Sequence, residues 1–228
     1  MVLSDSFMKM FDKAVSFVVK EEKKNIWTVE EHECGATMTQ LEIKANGTFW
    51  GFDHQLVKGV KDITTRMSST LEDKNCDGIV FLLDDVDQEH LVLVELKSGF
   101  DIGKIKGAFH QITMSFIKMH AWLSLCRGYD IDQLKVHFIT ACKCYKNKDQ
   151  EENVLQRISQ AQELENDTFE TKFLKPLLNK HHIKVKLSSF VDIQKLPFHD
   201  SICGKEISMY LQLTAQHSDS KAQVNLVK

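Results

Sequence analysis

The stretch NCDGIVFLLDDVDQEHLVLVELKSG, residues 75–99, places three charged side chains in two apolar, strand-like runs that flank an acidic turn. In a hairpin, opposing residues share a midpoint within the turn, and Asp77 with Glu95 centres on residue 86. Residues two apart along a strand point to the same face, so Lys97 joins this pair. The stretch therefore predicts two carboxylates and an ammonium group within about 5–8 Å of one another.

These charges need a partner that offsets their burial. Charges set among apolar side chains such as Ile79 and Leu93 are costly unless an opposite charge neutralises them. A divalent cation between the two carboxylates does so, and hard oxygen ligands favour Mg²⁺ or Mn²⁺. Leu96 lies between Glu95 and Lys97, so we expect its side chain in the core on the opposite face. Its backbone carbonyl is a further candidate metal ligand.

The rest of the chain alternates helical with strand-like patterns, read from the period of its apolar residues. The predicted helices are residues 4–24, 55–72, 103–126 and 151–165. The predicted strands are residues 36–52 as a hairpin around Asn46-Gly47, then 77–83, 91–97, 134–142 and 183–193. This order predicts an α/β fold with a mixed central β-sheet flanked by α-helices.

Length and composition indicate one domain and an intracellular setting. The 228 residues, 43% of them hydrophobic, suit a single domain over residues 1–213, followed by a polar tail at 214–228 that we expect to fray. The N-terminus lacks the features of a signal peptide and no run reaches membrane-spanning length, so we expect a cytoplasmic protein without membrane contact. Six scattered cysteines fit reduced thiols.

The motifs resemble the PD-(D/E)xK nuclease superfamily, whose restriction-endonuclease-like core is a helix, a three-stranded meander, a second helix and a further strand. The resemblance covers about residues 55–142 and rests on Asp77, on Glu95-Leu96-Lys97 and on Gln111 in the following helix. The segments CDGIVF, VELKSG and HQITMSF are most similar to the RecB-type pattern. The resemblance implies that Asp77 and Glu95 bind the metal, that Lys97 positions or activates water, and that Gln111 supports the site.

Two positions depart from the family pattern. Cys76 stands where the motif has proline, and Ser115 replaces the tyrosine often found four residues after the glutamine. The family also usually supplies an acid from its first core helix. That acid is Asp62 if the helix is 55–72, or Glu31 or Glu33 if it lies earlier.

The resemblance implies a metal-dependent nuclease that hydrolyses phosphodiester bonds, in DNA more than RNA, in defence or repair. The net charge of −3 excludes a chain that is basic overall, so nucleic-acid contact must come from local patches. Candidate patches are Lys104, Lys106 and Lys118 beside Gln111, and the basic segment 172–186. A short single-domain member also implies a partner protein or a homo-oligomer.

Two alternatives stay open. The first is a catalytically inactive nuclease-fold protein that binds nucleic acid or another protein. The second is an unrelated α/β interaction protein in which Glu95 and Lys97 merely pair on an exposed strand. The faces to which Asp77 and Glu95 point discriminate the second alternative.

Overall fold

The computed structural model describes residues 3–11, 18–31, 34–52, 75–164, 167–190, 193 and 198–226. The helices are α1 Leu3–Met10, α2 Ile102–Leu123, α3 Lys148–Glu163, α4 Lys175–Lys180, which continues a π-helical turn at Glu170–Leu174, and α5 Asp200–Cys203. The strands are β1 Val18–Glu30, β2 Gln40–Phe52, β3 Gly78–Asp84, β4 Glu89–Lys97, β5 Lys135–Cys142, β6 His182–Lys186, β7 Glu206–Leu213 and β8 Lys221–Asn225.

These eight strands form one mixed sheet, in which helix α2 connects the parallel neighbours β4 and β5. The strand order is β1-β2-β3-β4-β5-β7-β6, with β8 added on β2. Strands β2, β3 and β4 form an antiparallel meander, and β5 then pairs parallel to β4 after the α2 crossover. The predicted α/β class with a mixed central sheet is confirmed.

Helix α2 covers one face of the sheet beneath the central strands. It begins at the N-cap Asp101, whose side chain accepts a hydrogen bond from the Lys104 N–H group. Its apolar stripe, including Ile105, Phe109 and Ile112, packs with the odd-numbered residues of β4 in the larger core. The predicted helix 103–126 and the strands 77–83, 91–97 and 134–142 are confirmed to within a few residues.

Among the described residues, the opposite face is covered by strands. A second core joins even-numbered residues of β3 and β4 with residues of β1, β2 and β8. This is possible because β2 changes partner at Gly47: residues before it pair with β8, and residues from it onward pair with β3.

Three predictions from local pattern are wrong. Residues 18–24 belong to β1 instead of a helix, because pairing with β2 satisfies their backbone. Asn46-Gly47 is a kink within one long strand and not a hairpin turn: Gly47 has φ +154°, and a Cβ there would lie 2.1 Å from the Leu83 carbonyl oxygen. Residues 221–225 do not fray, since β8 pairs with β2 and buries Ala222 and Val224.

Other differences concern where predicted elements begin or end, and which of them lie within the described residues. The late strand predicted at 183–193 ends at Lys186, where a 3₁₀ turn Leu187–Ser189 begins. The predicted helix 55–72 lies outside the described residues, as does most of the segment that links β2 to β3. The charged helix predicted at 151–165 is present as α3 and begins three residues earlier.

Candidate active site

The structure brings Asp77, Glu95, Lys97 and Gln111 together, and we call this group the acidic site. The β3–β4 register pairs Gly78 with Val94, which puts Asp77 across from Glu95. Both point to the face that α2 covers, while Leu96 packs into the second core. The predicted convergence of these side chains and the predicted direction of the Leu96 side chain are confirmed. Asp77 and Glu95 do not lie on opposite faces, which is the arrangement that would have decided for an unrelated interaction protein.

Direct contacts link the four side chains to the backbone around them. The Asp77 carboxylate accepts a hydrogen bond of 2.6 Å from the Leu96 N–H group, just beyond the last pair of the β3–β4 ladder. The Lys97 ammonium pairs with Glu95 Oε1 and donates to Gln111 Oε1 at 3.1 Å. The Gln111 amide donates in turn to the Asn75 carbonyl oxygen at 3.3 Å. Gln111 in α2 thus orients the ammonium group of Lys97 in β4.

Glu95 is the unusual member of the acidic site. Its side chain is 2% exposed, and burial, with the nearby Asp77 charge, raises its pKa to about 8 despite the opposing effect of Lys97. Its Oε2 atom is buried and has no hydrogen-bond partner among the residues that the structure describes. A buried carboxylate oxygen without a partner is costly, and it marks a position that a cation would satisfy.

The loop between β1 and β2 lies close to this group. Thr37 donates both its N–H and its hydroxyl to Ser98, at 3.0 and 3.1 Å, directly after Lys97. Glu31 begins this loop directly after strand β1, so the expectation that it lies in a helix is wrong, but its charge contributes to the raised pKa of Glu95. Of the three candidate acids, Glu31 therefore lies within electrostatic reach of the site, whereas Glu33 and Asp62 lie outside the described residues.

The donor set fits a hard divalent ion that keeps part of its hydration shell. No group of three or more His, Cys, Asp or Glu side chains arranged to hold a metal occurs within the described part of the chain. Two carboxylates on one face, one with an oxygen that no described residue contacts, still suit Mg²⁺, which is commonly bound through one or two carboxylates and several waters. The predicted Leu96 carbonyl ligand stays a prediction.

The lysines proposed as phosphate contacts have different surroundings. Lys104 and Lys106 are exposed on α2, whereas Lys118 is fully buried, so the idea that Lys118 contacts phosphate is wrong. In the basic segment, Lys172 pairs with Asp167 at 3.2 Å and Lys184 pairs with Glu206 at 3.3 Å. Local acids thus offset part of the positive charge of that segment.

A second buried polar cluster crosses the other face of the sheet, and we call it the histidine row: Asp84, His90, His137 and Tyr210. His90 Nε2 lies 3.3 Å from Asp84 Oδ2, and His90 Nδ1 lies 2.9 Å from His137 Nε2. His137 Nδ1 is 3.2 Å from the Tyr210 hydroxyl. Sequence reasoning missed this row because its members come from four different strands.

Comparisons with known proteins give no further guide. No protein-family model, curated protein or solved structure matches this chain. Among the described residues, no helix is both long enough and apolar enough to cross a membrane. The functional assignment therefore depends on the chemistry of the acidic site.

Proposed function

We propose that this chain is a metal-dependent deoxyribonuclease of the PD-(D/E)xK type. The observation that carries the proposal is the buried Glu95 carboxylate, whose Oε2 has no partner within the described part of the chain, beside Asp77 and on the same face as Lys97. Part of the order of elements supports it as well: the β3–β4 hairpin, then α2, then β5 parallel to β4, agrees with the end of the order that the resemblance implies.

Asp77, Glu95 and the Leu96 carbonyl would hold Mg²⁺ or Mn²⁺, with Glu31 as the additional acid. When bound, such an ion polarises the scissile phosphate and lowers the pKa of water. The residue types agree with this assignment, because carboxylate and carbonyl oxygens are the ligands that these ions prefer.

The other two residues act on charge and orientation. Lys97 keeps 22% of its side chain exposed, so its ammonium group can reach a phosphate while Gln111 fixes its direction. There it stabilises the negative charge that develops on the phosphate oxygens. In the hydrolysis, the water oxygen bonds to phosphorus and the bond from phosphorus to the leaving sugar oxygen breaks. The leaving oxygen takes up a proton in place of the one that the attacking water loses.

DNA is the proposed substrate through the family resemblance, and the charge of the chain bears on how DNA is held. A net charge of −3 provides little general attraction for a polyanion. The exposed Lys104 and Lys106 lie on the first turns of α2, the helix that also carries Gln111. We therefore propose that a partner protein or a second copy supplies further phosphate contacts.

The test is cleavage of supercoiled, linear and single-stranded DNA and of RNA with Mg²⁺ or Mn²⁺, together with calorimetric Mn²⁺ binding. We expect Asp77→Asn and Lys97→Met to lower the cleavage rate by at least about 100-fold, because each removes charge stabilisation of the transition state. Only Asp77→Asn should also weaken Mn²⁺ binding. The controls Glu163→Gln and Lys148→Met make the same chemical changes at exposed positions on helices.

A catalytically inactive binding protein is the second candidate. The observation that favours it is the Lys97–Glu95 ion pair, since this contact partly neutralises the acidic site without a metal. Mn²⁺ binding without cleavage of any of the four substrates would favour this candidate. A wild-type protein that neither binds Mn²⁺ nor cleaves would contradict the nuclease proposal.

A further inference from the structure

One face of α2 holds the short segment that precedes β3. Gln111, Ser115 and Lys118 are spaced four and three residues apart, so they lie on the same side of the helix. Each of them contacts Asn75 or Cys76, the two residues before Asp77. The position of Asp77 therefore depends on a stripe of polar residues in a helix whose other buried side chains, apart from Thr113, are apolar.

Ser115 connects the segment to the helix backbone. Its hydroxyl accepts a hydrogen bond of 2.8 Å from the Cys76 N–H group and donates to the Gln111 carbonyl oxygen at 3.0 Å. A tyrosine at this position, as in the family pattern, would be too large for the same short contact. The serine at this position, where the family pattern has tyrosine, thus allows the backbone at Cys76 to approach α2 closely.

Lys118 reaches the same segment from the next turn. Its side chain is fully buried, and its ammonium group donates to Asn75 Oδ1 at 3.1 Å. Burial of a lysine is costly, whereas an apolar side chain of similar length would fill the space without that penalty. The carbonyl oxygen of the same Asn75 accepts from Gln111, which in turn accepts from Lys97.

We propose that Ser115 and Lys118 are positioning residues that hold the Asn75–Asp77 segment and thereby align Asp77 and Gln111 with Glu95 and Lys97. Neither needs to touch the substrate. The expected effects of this alignment on metal binding and cleavage rest on the proposed nuclease function. The alignment itself can be measured without metal or DNA.

The Leu96 amide reports this alignment, because its N–H group donates to the Asp77 carboxylate. Amide exchange of Leu96 relative to Val92 separates a local effect from a loss of overall stability, since overall opening accelerates both amides. The variants are Ser115→Ala and Lys118→Met. The controls are Thr113→Val, which removes a buried hydroxyl that donates to the Phe109 carbonyl oxygen, and Lys148→Met at an exposed position on α3.

In both variants we expect the ratio of Leu96 to Val92 exchange to rise at least about 10-fold. Mn²⁺ affinity should fall about 10-fold to 100-fold, as is usual when residues behind metal ligands are changed. We expect kcat for DNA cleavage to fall by a similar factor with KM almost unchanged, because neither side chain binds substrate. The controls should behave as wild type in all three measurements.

An unchanged exchange ratio in folded Ser115→Ala would overturn the proposal, and this small deletion decides the matter if Lys118→Met does not fold. A wild-type protein that neither binds Mn²⁺ nor cleaves DNA would contradict the proposed nuclease function alone. In that case the exchange ratio still tests the positioning role.

Discussion

The acidic site and the histidine row are both buried polar clusters on β4, but they lie on opposite faces and near opposite ends of the strand. In the histidine row, hydrogen bonds link Tyr210 to His137, His137 to His90, and His90 to Asp84. In the acidic site, Glu95 Oε2 has no partner within the described residues. A cluster that satisfies itself stabilises the fold, whereas one that does not is where a ligand is expected.

The protonation states follow from the same contrast. Burial raises the pKa of Asp84, but hydrogen bonds from the Gln88 and Val86 N–H groups and from His90 lower it below its usual value. An ionised Asp84 can only accept, so His90 donates to it, His137 donates to His90, and Tyr210 donates to His137. Burial lowers the pKa of both imidazoles, that of His137 to about 3, so both rings are neutral at pH 7, and this donor order is the one that neutral rings allow.

The largest expected effect is that of Glu95→Gln, which acts in opposite directions on function and stability. Cleavage should fall by at least about 100-fold with the loss of Mn²⁺ binding. The metal-free protein should become more stable by up to about 3 kcal/mol at pH 7, because a carboxyl whose pKa rises from 4.5 to about 8 on folding destabilises the fold above pH 4.5. Urea denaturation of metal-free protein measures this gain.

A destabilised Glu95→Gln protein would contradict the view that burial of this carboxylate, whose Oε2 lacks a partner among the described residues, costs more than its pair with Lys97 contributes. The matched control is Glu163→Gln at the exposed end of α3, where we expect a change in unfolding free energy within about 0.5 kcal/mol.

A smaller effect of opposite sign is expected at the histidine row. His137→Leu leaves His90 Nδ1 and the Tyr210 hydroxyl without this partner, and should lower the unfolding free energy by about 2 kcal/mol. Tyr210→Phe removes one hydroxyl at the end of the row and should cost about 1 kcal/mol. Equal losses for both variants in thermal or urea unfolding would argue against a connected row.

The pH dependence of stability should also differ in sign between the two clusters. His137 binds protons more weakly when folded, so its contribution is complete above pH 6.5 and is lost as the pH falls toward 3. In Glu95→Gln, unfolding free energy should therefore fall by about 2 kcal/mol between pH 8 and pH 5. In His137→Leu it should rise over the same interval, because Glu95 regains its proton below pH 8. Slopes of the same sign in metal-free protein would contradict this assignment.

The smallest expected signal is the proton that leaves when metal binds. At pH 7 the Glu95 carboxyl is mostly protonated in the metal-free protein, because its pKa is raised to about 8. Mn²⁺ binding should release about one proton at pH 7 and almost none at pH 9. Calorimetry in two buffers of different ionisation enthalpy measures the difference. Release that is independent of pH would point to ligands other than Glu95.

Local pattern predicted most of the acidic site because its key residues lie in one hairpin and the helix after it. Alternation in β4 fixed the shared face of Glu95 and Lys97, and hairpin symmetry fixed Asp77 opposite Glu95. Gln111 followed from the family resemblance, and α2 then brings it to Lys97. The same reasoning failed at Asn46-Gly47, because a glycine is favoured both in a tight turn and at a kink, and only the structure shows that Gly47 alone, without Asn46, has positive φ.

The sequence by itself determined the β3–β4 hairpin, the α2 crossover and the convergence of Asp77, Glu95 and Lys97, because short-range periodicity and register set them. Only the tertiary structure decided which distant groups complete these elements: β8 on β2, the Thr37–Ser98 contact near Glu31, and the histidine row. Such contacts depend on where separate strands meet in the sheet, and no local spacing of residues encodes that meeting.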